Sequence, residues 1–212
     1  MQFRNVTTLI FDFGGVIINL NMQRCINKFR ELGFVDIDKY LNNFVQSGIF
    51  LQFEKGQINA EEFRAEIRKH IPAPLTDEQI DQAWCSFLVD IPDEKFDLLL
   101  ELRKKFKVLL LSNTNPIHMA YADSLFIRHK GLPMSEYFDK RYLSYEMRAA
   151  KPDAEIFEKL LADAGVSPGE CVFFDDGSKN IEQARKLGIQ TYLVHEPEDL
   201  SFLLRTDTWL QD

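Results

Sequence analysis

A chain of 212 residues, 45% hydrophobic and 12% aromatic, has ample apolar material for one packed domain or one and a half, at roughly 100–200 residues per domain. Its net charge of −8, from 33 acids against 25 bases, argues against nucleic acid as a partner, which calls for a basic excess and clustered Lys or Arg. No run approaches the ~20 apolar residues of a membrane span, the first ten residues lack a secretory layout, and Cys25, Cys85 and Cys171 match no zinc pattern, so a reduced cytoplasm is expected.

The first apolar run, Thr8-Leu9-Ile10-Phe11, closes on the turn Asp12-Phe13-Gly14-Gly15. A run with no polar alternation suits a strand buried on both faces, as in a parallel sheet. Residues 18–91 then read as helices only. Met22, Cys25, Ile26, Phe29 and Leu32 recur at helical spacing, as do Ile37, Tyr40, Leu41, Phe44 and Val45. Asn59 with Glu62, and Thr76 with Gln79, are helix-start signatures ahead of further apolar stripes. Such amphipathic helices would bury their stripes as a small four-helix-type bundle, with Phe50, Phe53, Trp84 and Phe87 in its core.

From residue 92 the first texture returns. Phe96, Leu99 and Leu100 mark a helix that ends on the basic run Arg103-Lys104-Lys105, where cations favour the macrodipole. Val108-Leu109-Leu110-Leu111 runs into Ser112-Asn113-Thr114-Asn115, which predicts a strand and then a cap for the helix after Pro116. A weaker strand lies within Tyr137 to Leu143. Lys151-Pro152-Asp153 opens a helix to Ala164, with proline set for the first turn and Asp153 as cap. Cys171-Val172-Phe173-Phe174 runs into Asp175-Asp176-Gly177, a helix follows to Leu187, and Thr191-Tyr192-Leu193-Val194 is the last run. Strand and helix in alternation predict an α/β fold: a doubly wound, Rossmann-like parallel sheet formed by 1–17 and 92–212, interrupted by a helical module at 18–91.

Open α/β sheets bind ligands beyond the carboxyl ends of their strands. Asp12, Ser112-Asn113 and Asp175-Asp176 each follow a strand directly, and Lys151 opens a helix, so parallel strands would bring them to one edge. Three carboxylates in one cleft repel unless a cation joins them, and an all-oxygen set suits magnesium. An ammonium, a hydroxyl and turn amides beside that ion would hold a phosphoryl group, and a carboxylate can attack phosphorus. His70, His118, His129 and His195 show no ligand spacing, although His118 follows Asn115 closely enough to reach the cleft.

In order, Phe11-Asp12-Phe13-Gly14-Gly15-Val16, Leu111-Ser112-Asn113-Thr114-Asn115, Lys151-Pro152-Asp153 and Phe174-Asp175-Asp176-Gly177 resemble the four signatures of the haloacid dehalogenase superfamily. The resemblance spans the whole α/β part and sets the helical module where this family carries its cap. It implies Asp12 as nucleophile and metal ligand, the Gly14 backbone carbonyl and Asp176 as further magnesium ligands, and Asp175 as a direct or water-mediated one. It implies Ser112, Asn113 and Lys151 as the phosphate-binding side chains, with Lys151 also neutralising the nucleophile.

One departure stands out: family phosphatases usually carry a second aspartate two residues after the nucleophile, as general acid and base. Here that position is Gly14. The pattern is similar to a bacterial subgroup with glycine at this position that includes an α-glucose-1-phosphate phosphatase. The expectation is a magnesium-dependent phosphatase of a small phosphorylated metabolite, with sugar phosphates favoured, working through an aspartyl-phosphate. The alternatives are a degenerate relative that only binds a phosphorylated ligand or partner, supported by Gly14 alone, and a dehalogenase, which Gly14 and the acidic pair at 175–176 oppose.

Overall fold

The computed structural model describes residues 2–42, 45–46, 48–195 and 198–211. A short strand, β1 (Phe3–Arg4), leads into β2 (Thr8–Phe11), whose four side chains are all buried. After the turn at 12–18 the chain leaves along residues 19–21 and later returns along 87–90. These segments pair antiparallel: Asn19 N to Asp90 O (2.9 Å), Val89 N to Asn19 O (2.9 Å) and Asn21 N to Phe87 O (2.8 Å).

Between them lie α1 (Met22–Glu31), a hairpin of β3 (Leu41–Asn42) and β4 (Val45–Gln46), α2 (Ile49–Glu54), α3 (Ala60–Lys69) and α4 (Asp77–Cys85). Asn59 with Glu62 and Thr76 with Gln79 form the reciprocal capping bonds their spacing predicts. Phe29, Phe34, Phe50, Phe53, Phe63 and Trp84 are fully buried and make one aromatic cluster, each ring supplying roughly 1.5–3 kcal/mol of burial. Among the described residues of 37–45 there is no α-helix, so this region is not helices only. A 3-10 turn (Ile37–Lys39) and the hairpin replace it. Ile37 and Leu41 still reach the aromatic cluster, so the burial that mimicked a helical stripe is met by a different backbone. Asn42 is a turn former, Val45 is β-branched, and Gly48 at φ 58 bars a helix from running on. Phe44 lies outside the described residues.

The chain then forms α5 (Asp93–Leu102), β5 (Lys107–Ser112), α6 (Pro116–Lys130), β6 (Lys140–Leu143), α7 (Ser144–Met147), α8 (Ala154–Ala164), β7 (Cys171–Asp175), α9 (Ser178–Lys186), β8 (Gln190–Leu193), α10 (Thr206–Trp209) and β9 (Leu210–Gln211), which pairs with β1. The cap of α6 is Asn115, whose side chain accepts from His118 N, and not Ser112 or Asn113. Pro152 precedes the N-cap of α8, so it lies before the first turn, and its peptide bond with Lys151 is cis. Asp153 sits at that N-cap without a side-chain capping bond and faces Lys55 at 3.7 Å instead.

The five main strands are parallel in the order β6-β5-β2-β7-β8. Leu9, Phe11, Val108, Leu110, Val172 and Phe174 pack on one face, and Ile10, Leu109, Leu111 and Phe173 on the other. Both faces are covered, which is why these strands read as unbroken apolar runs. Strand order reverses between β2 and β7, which opens a crevice beyond their carboxyl ends. Phe11 lies level with Leu110 and Phe174 in the register. Asp12, Ser112 and Asp175 therefore emerge within two residues of a common line.

Candidate active site

Asp12 leaves β2 with its amide bonded to the Phe174 carbonyl at 2.8 Å, so the first strand remains pinned to β7 at the residue that carries the carboxylate. Its Oδ1 accepts from Phe13 N at 2.6 Å and from Lys151 Nζ at 2.7 Å. The same ammonium donates to Asp175 Oδ2 at 2.7 Å, and the Lys151 and Asp175 side chains are 1% and 0% exposed. Asp175 Oδ1 is held by Gly177 N at 2.7 Å and Asn180 Nδ2 at 2.9 Å. One buried cation is thus clamped between two buried carboxylates.

Burial lowers the Lys151 ammonium's affinity for its proton, but Asp12 and Asp175 outweigh it and hold the group above the usual lysine range. Burial raises the Asp12 carboxyl well above the carboxylate range; Lys151 opposes this, while Asp175 and Asp176 add to it. Asp176, exposed at the mouth of the site, is likewise pushed up by burial and by Asp175. The cluster carries more negative charge than one lysine can offset.

Asp12, Asp175 and Asp176 each offer a carboxylate oxygen, and these oxygens lie within 4.8 Å of one another. An all-oxygen set of this size fits a hard cation such as magnesium. Both Asp175 oxygens already accept bonds from the protein, whereas Asp12 Oδ2 accepts none among the described residues and Asp176 lies exposed at the mouth of the site. Those two groups are the ones best placed to ligate directly.

Asn113 is tied to the lysine. Its Nδ2 donates to Lys151 O at 2.9 Å and its Oδ1 accepts from Lys151 N at 2.8 Å, which leaves the second Nδ2 hydrogen for a ligand. Ser112 is buried, and among the described residues its hydroxyl meets only the Asn113 carbonyl, at 3.5 Å, the limit of a hydrogen bond. That leaves the Ser112 proton available to a ligand.

His118 does not reach this cluster. Its ring stacks on Trp84 at 4.3 Å, its Nε2 lies 3.1 Å from the Trp84 carbonyl, and burial pulls its pKa down to about 4. It fastens α6 to α4. At Gly14, a side chain would meet Leu20 Cδ1 2.7 Å from its Cβ, so the space an acid would start from is filled by an apolar side chain of the outgoing neck. Asn180, Thr114 and Ser144 carry bonds that the sequence reading did not anticipate. A signal for Asn180 existed, an amide in the first helical turn after an acidic pair; Ser144 had none.

The model of the haloacid dehalogenase-like hydrolases matches residues 6–188. A D-ribitol-5-phosphate phosphatase of Bacteroides thetaiotaomicron is 40% identical over 194 residues, covering 92% of this chain and 93% of its own. A haloacid dehalogenase-family enzyme of the same organism, crystallised as an Asp-to-Ala mutant with magnesium and inorganic phosphate, shares 46% identity at a TM-score of 0.91, over 94% of this chain and 99% of that one. A HAD-like family hydrolase from Porphyromonas gingivalis shares 37% identity at a TM-score of 0.86, covering 94% and 97%.

Proposed function

The chain belongs to the haloacid dehalogenase-like hydrolases, and from that premise we propose that it is a magnesium-dependent phosphatase of a small phosphorylated sugar or alditol. The observation that carries this is the single ammonium lodged 2.7 Å from both Asp12 and Asp175 at the crevice of the sheet. The relatives support it: one is a D-ribitol-5-phosphate phosphatase, and another was crystallised with magnesium and inorganic phosphate.

In this reading Asp12 attacks phosphorus through a carboxylate oxygen, the ester P–O bond breaks, and water later cleaves the aspartyl-phosphate. Lys151 favours the ionised form of Asp12 and balances the phosphoryl charge. Ser112 donates its free proton to a phosphoryl oxygen. Asn113, by its two bonds to the Lys151 backbone, places the ammonium. Asp12, Asp176 and the Gly14 carbonyl would hold magnesium, with Asp175 acting directly or through water. The ion would supply charge neutralisation on the phosphoryl oxygens and lower the Asp12 pKa. Residues 18–91 serve as a cap over residues 1–17 and 92–212, and the free buried cysteines accord with a cytoplasmic setting.

Gly14 offers no proton, so turnover should fall as the leaving alcohol becomes more basic. A panel of phosphorylated sugars and alditols, assayed with and without magnesium, tests the reading. Magnesium-dependent phosphate release that Asp12→Asn abolishes supports it; equal rates in wild type and variant would end it.

A further inference from the structure

The insert touches the α/β part at a second place, away from its neck. Residues 54–56, at the end of α2, lie against residues 144, 145 and 153 at the carboxyl edge of the sheet. Ser144 is fully buried there. Its Oγ lies 2.6 Å from the Glu54 carbonyl, 3.1 Å from the Thr114 carbonyl, and 2.9 Å from the Thr114 amide, which donates to it. Gly56, at φ 63, comes so close that a Cβ would overlap the Tyr145 carbonyl oxygen. Lys55 and Asp153 bracket the contact at 3.7 Å.

A serine hydroxyl has one proton and two lone pairs. One lone pair is fixed by the Thr114 amide. The proton has two acceptors within reach, and the shorter distance assigns it to Glu54 O, on the insert. If the insert lifts away, the proton can turn to Thr114 O without leaving the hydroxyl orphaned. The remaining links lead inward: Thr114 follows Asn113, Asn113 clasps the Lys151 backbone, and Lys151 holds Asp12. On the insert's side the acceptor is a backbone carbonyl, so the contact is independent of the residue type at 54.

We propose that Ser144 is a positioning residue that joins docking of the insert to placement of Lys151, its proton exchanging between Glu54 O when docked and Thr114 O when not. Docking then makes the hydroxyl a bridge from Glu54 O to the Thr114 amide, tying the 112–115 loop and, through Asn113, the lysine to the insert. The kinetic part rests on the phosphatase reading; the mechanical part does not.

Hydrogen exchange on the full chain tests the mechanical part, read at the amides of Gly56 and Lys151. Both are bonded elsewhere, to Phe53 O and Asn113 Oδ1, so loss of the hydroxyl itself moves neither. In Ser144→Ala both amides should exchange faster, roughly tenfold for a coupling of ordinary size. Gly56→Ala, which forces the seam open from the insert's side, should speed the Lys151 amide similarly. Adding Ser144→Ala to it should produce little further change at Lys151. Exchange that rises on one side only, or a Lys151 amide indifferent to Gly56→Ala, overturns the proposal. Where phosphate release is measurable, Ser144→Ala should lower kcat/KM about tenfold, and a wild-type value would overturn it. Absence of phosphatase activity in wild type would sink the functional reading and leave the exchange result to decide the coupling.

Discussion

The two parts of the molecule are built on opposite principles. At the carboxyl edge of the sheet, a handful of charged groups hold one another in buried, directional contacts: Lys151 against Asp12 and Asp175, Asn113 against Lys151, Asn180 against Asp175. In the insert, cohesion comes from rings packed at many angles, with Phe50 alone meeting Phe29, Phe63 and Trp84. Directional bonds between buried charges fail sharply when one partner goes. Dispersion and apolar burial are non-directional and fail in proportion to the volume removed. The edge should therefore be brittle in chemistry, and the insert costly only in stability.

The largest effect that would sharpen the contrast is Asp12→Asn, which should reduce phosphate release by about 10⁴-fold or more while the fold persists, read by steady-state assay and circular dichroism. Lys151→Met should follow. It leaves two buried carboxylates facing each other, so activity should fall about 10²–10³-fold and stability by roughly 3–5 kcal/mol in denaturant titration. Phe50→Ala should cost a comparable 3–5 kcal/mol, read as a lowered Tm, yet leave binding of inorganic phosphate with magnesium nearly unchanged. A large loss of phosphate affinity in that variant would break the comparison. The smallest effect concerns the space at Gly14. Gly14→Asp alone should cost roughly 1 kcal/mol through Leu20, and Leu20→Ala should relieve it. The double variant should also gain turnover on esters of basic alcohols, because an acid is restored. An unchanged dependence on leaving-group pKa would show that another group already supplies the proton.

The same contrast decides how much could be read from the sequence. The central strands were legible because both faces are buried, which leaves uninterrupted runs such as Val108 to Leu111 and Cys171 to Phe174. The capped helices α3 and α4 were legible because capping boxes are local. Asp12, Lys151 and the acidic pair were legible because strand ends in a parallel sheet share one edge, so order along the chain becomes proximity in space. The stretch 37–45 was misread because burial against the aromatic cluster imposes apolar spacing on any backbone, and Ile37 and Leu41 satisfy it from a turn and a hairpin. Pro152 was misplaced for a different reason. Whether a proline falls just before or just inside a helix depends on tertiary packing. Ser144 was invisible, since its partners are two carbonyls and an amide that belong to residues of any type.

The central claim is that strand ends far apart along the chain assemble one site in which Asp12 takes the phosphoryl group. Rapid acid quench during turnover of a radiolabelled phosphomonoester with magnesium, followed by peptide mapping, tests it most directly. The account predicts label on the peptide containing Asp12, formed faster than phosphate is released and absent in Asp12→Asn. Turnover with no label on that peptide, together with activity surviving in Asp12→Asn, would contradict it.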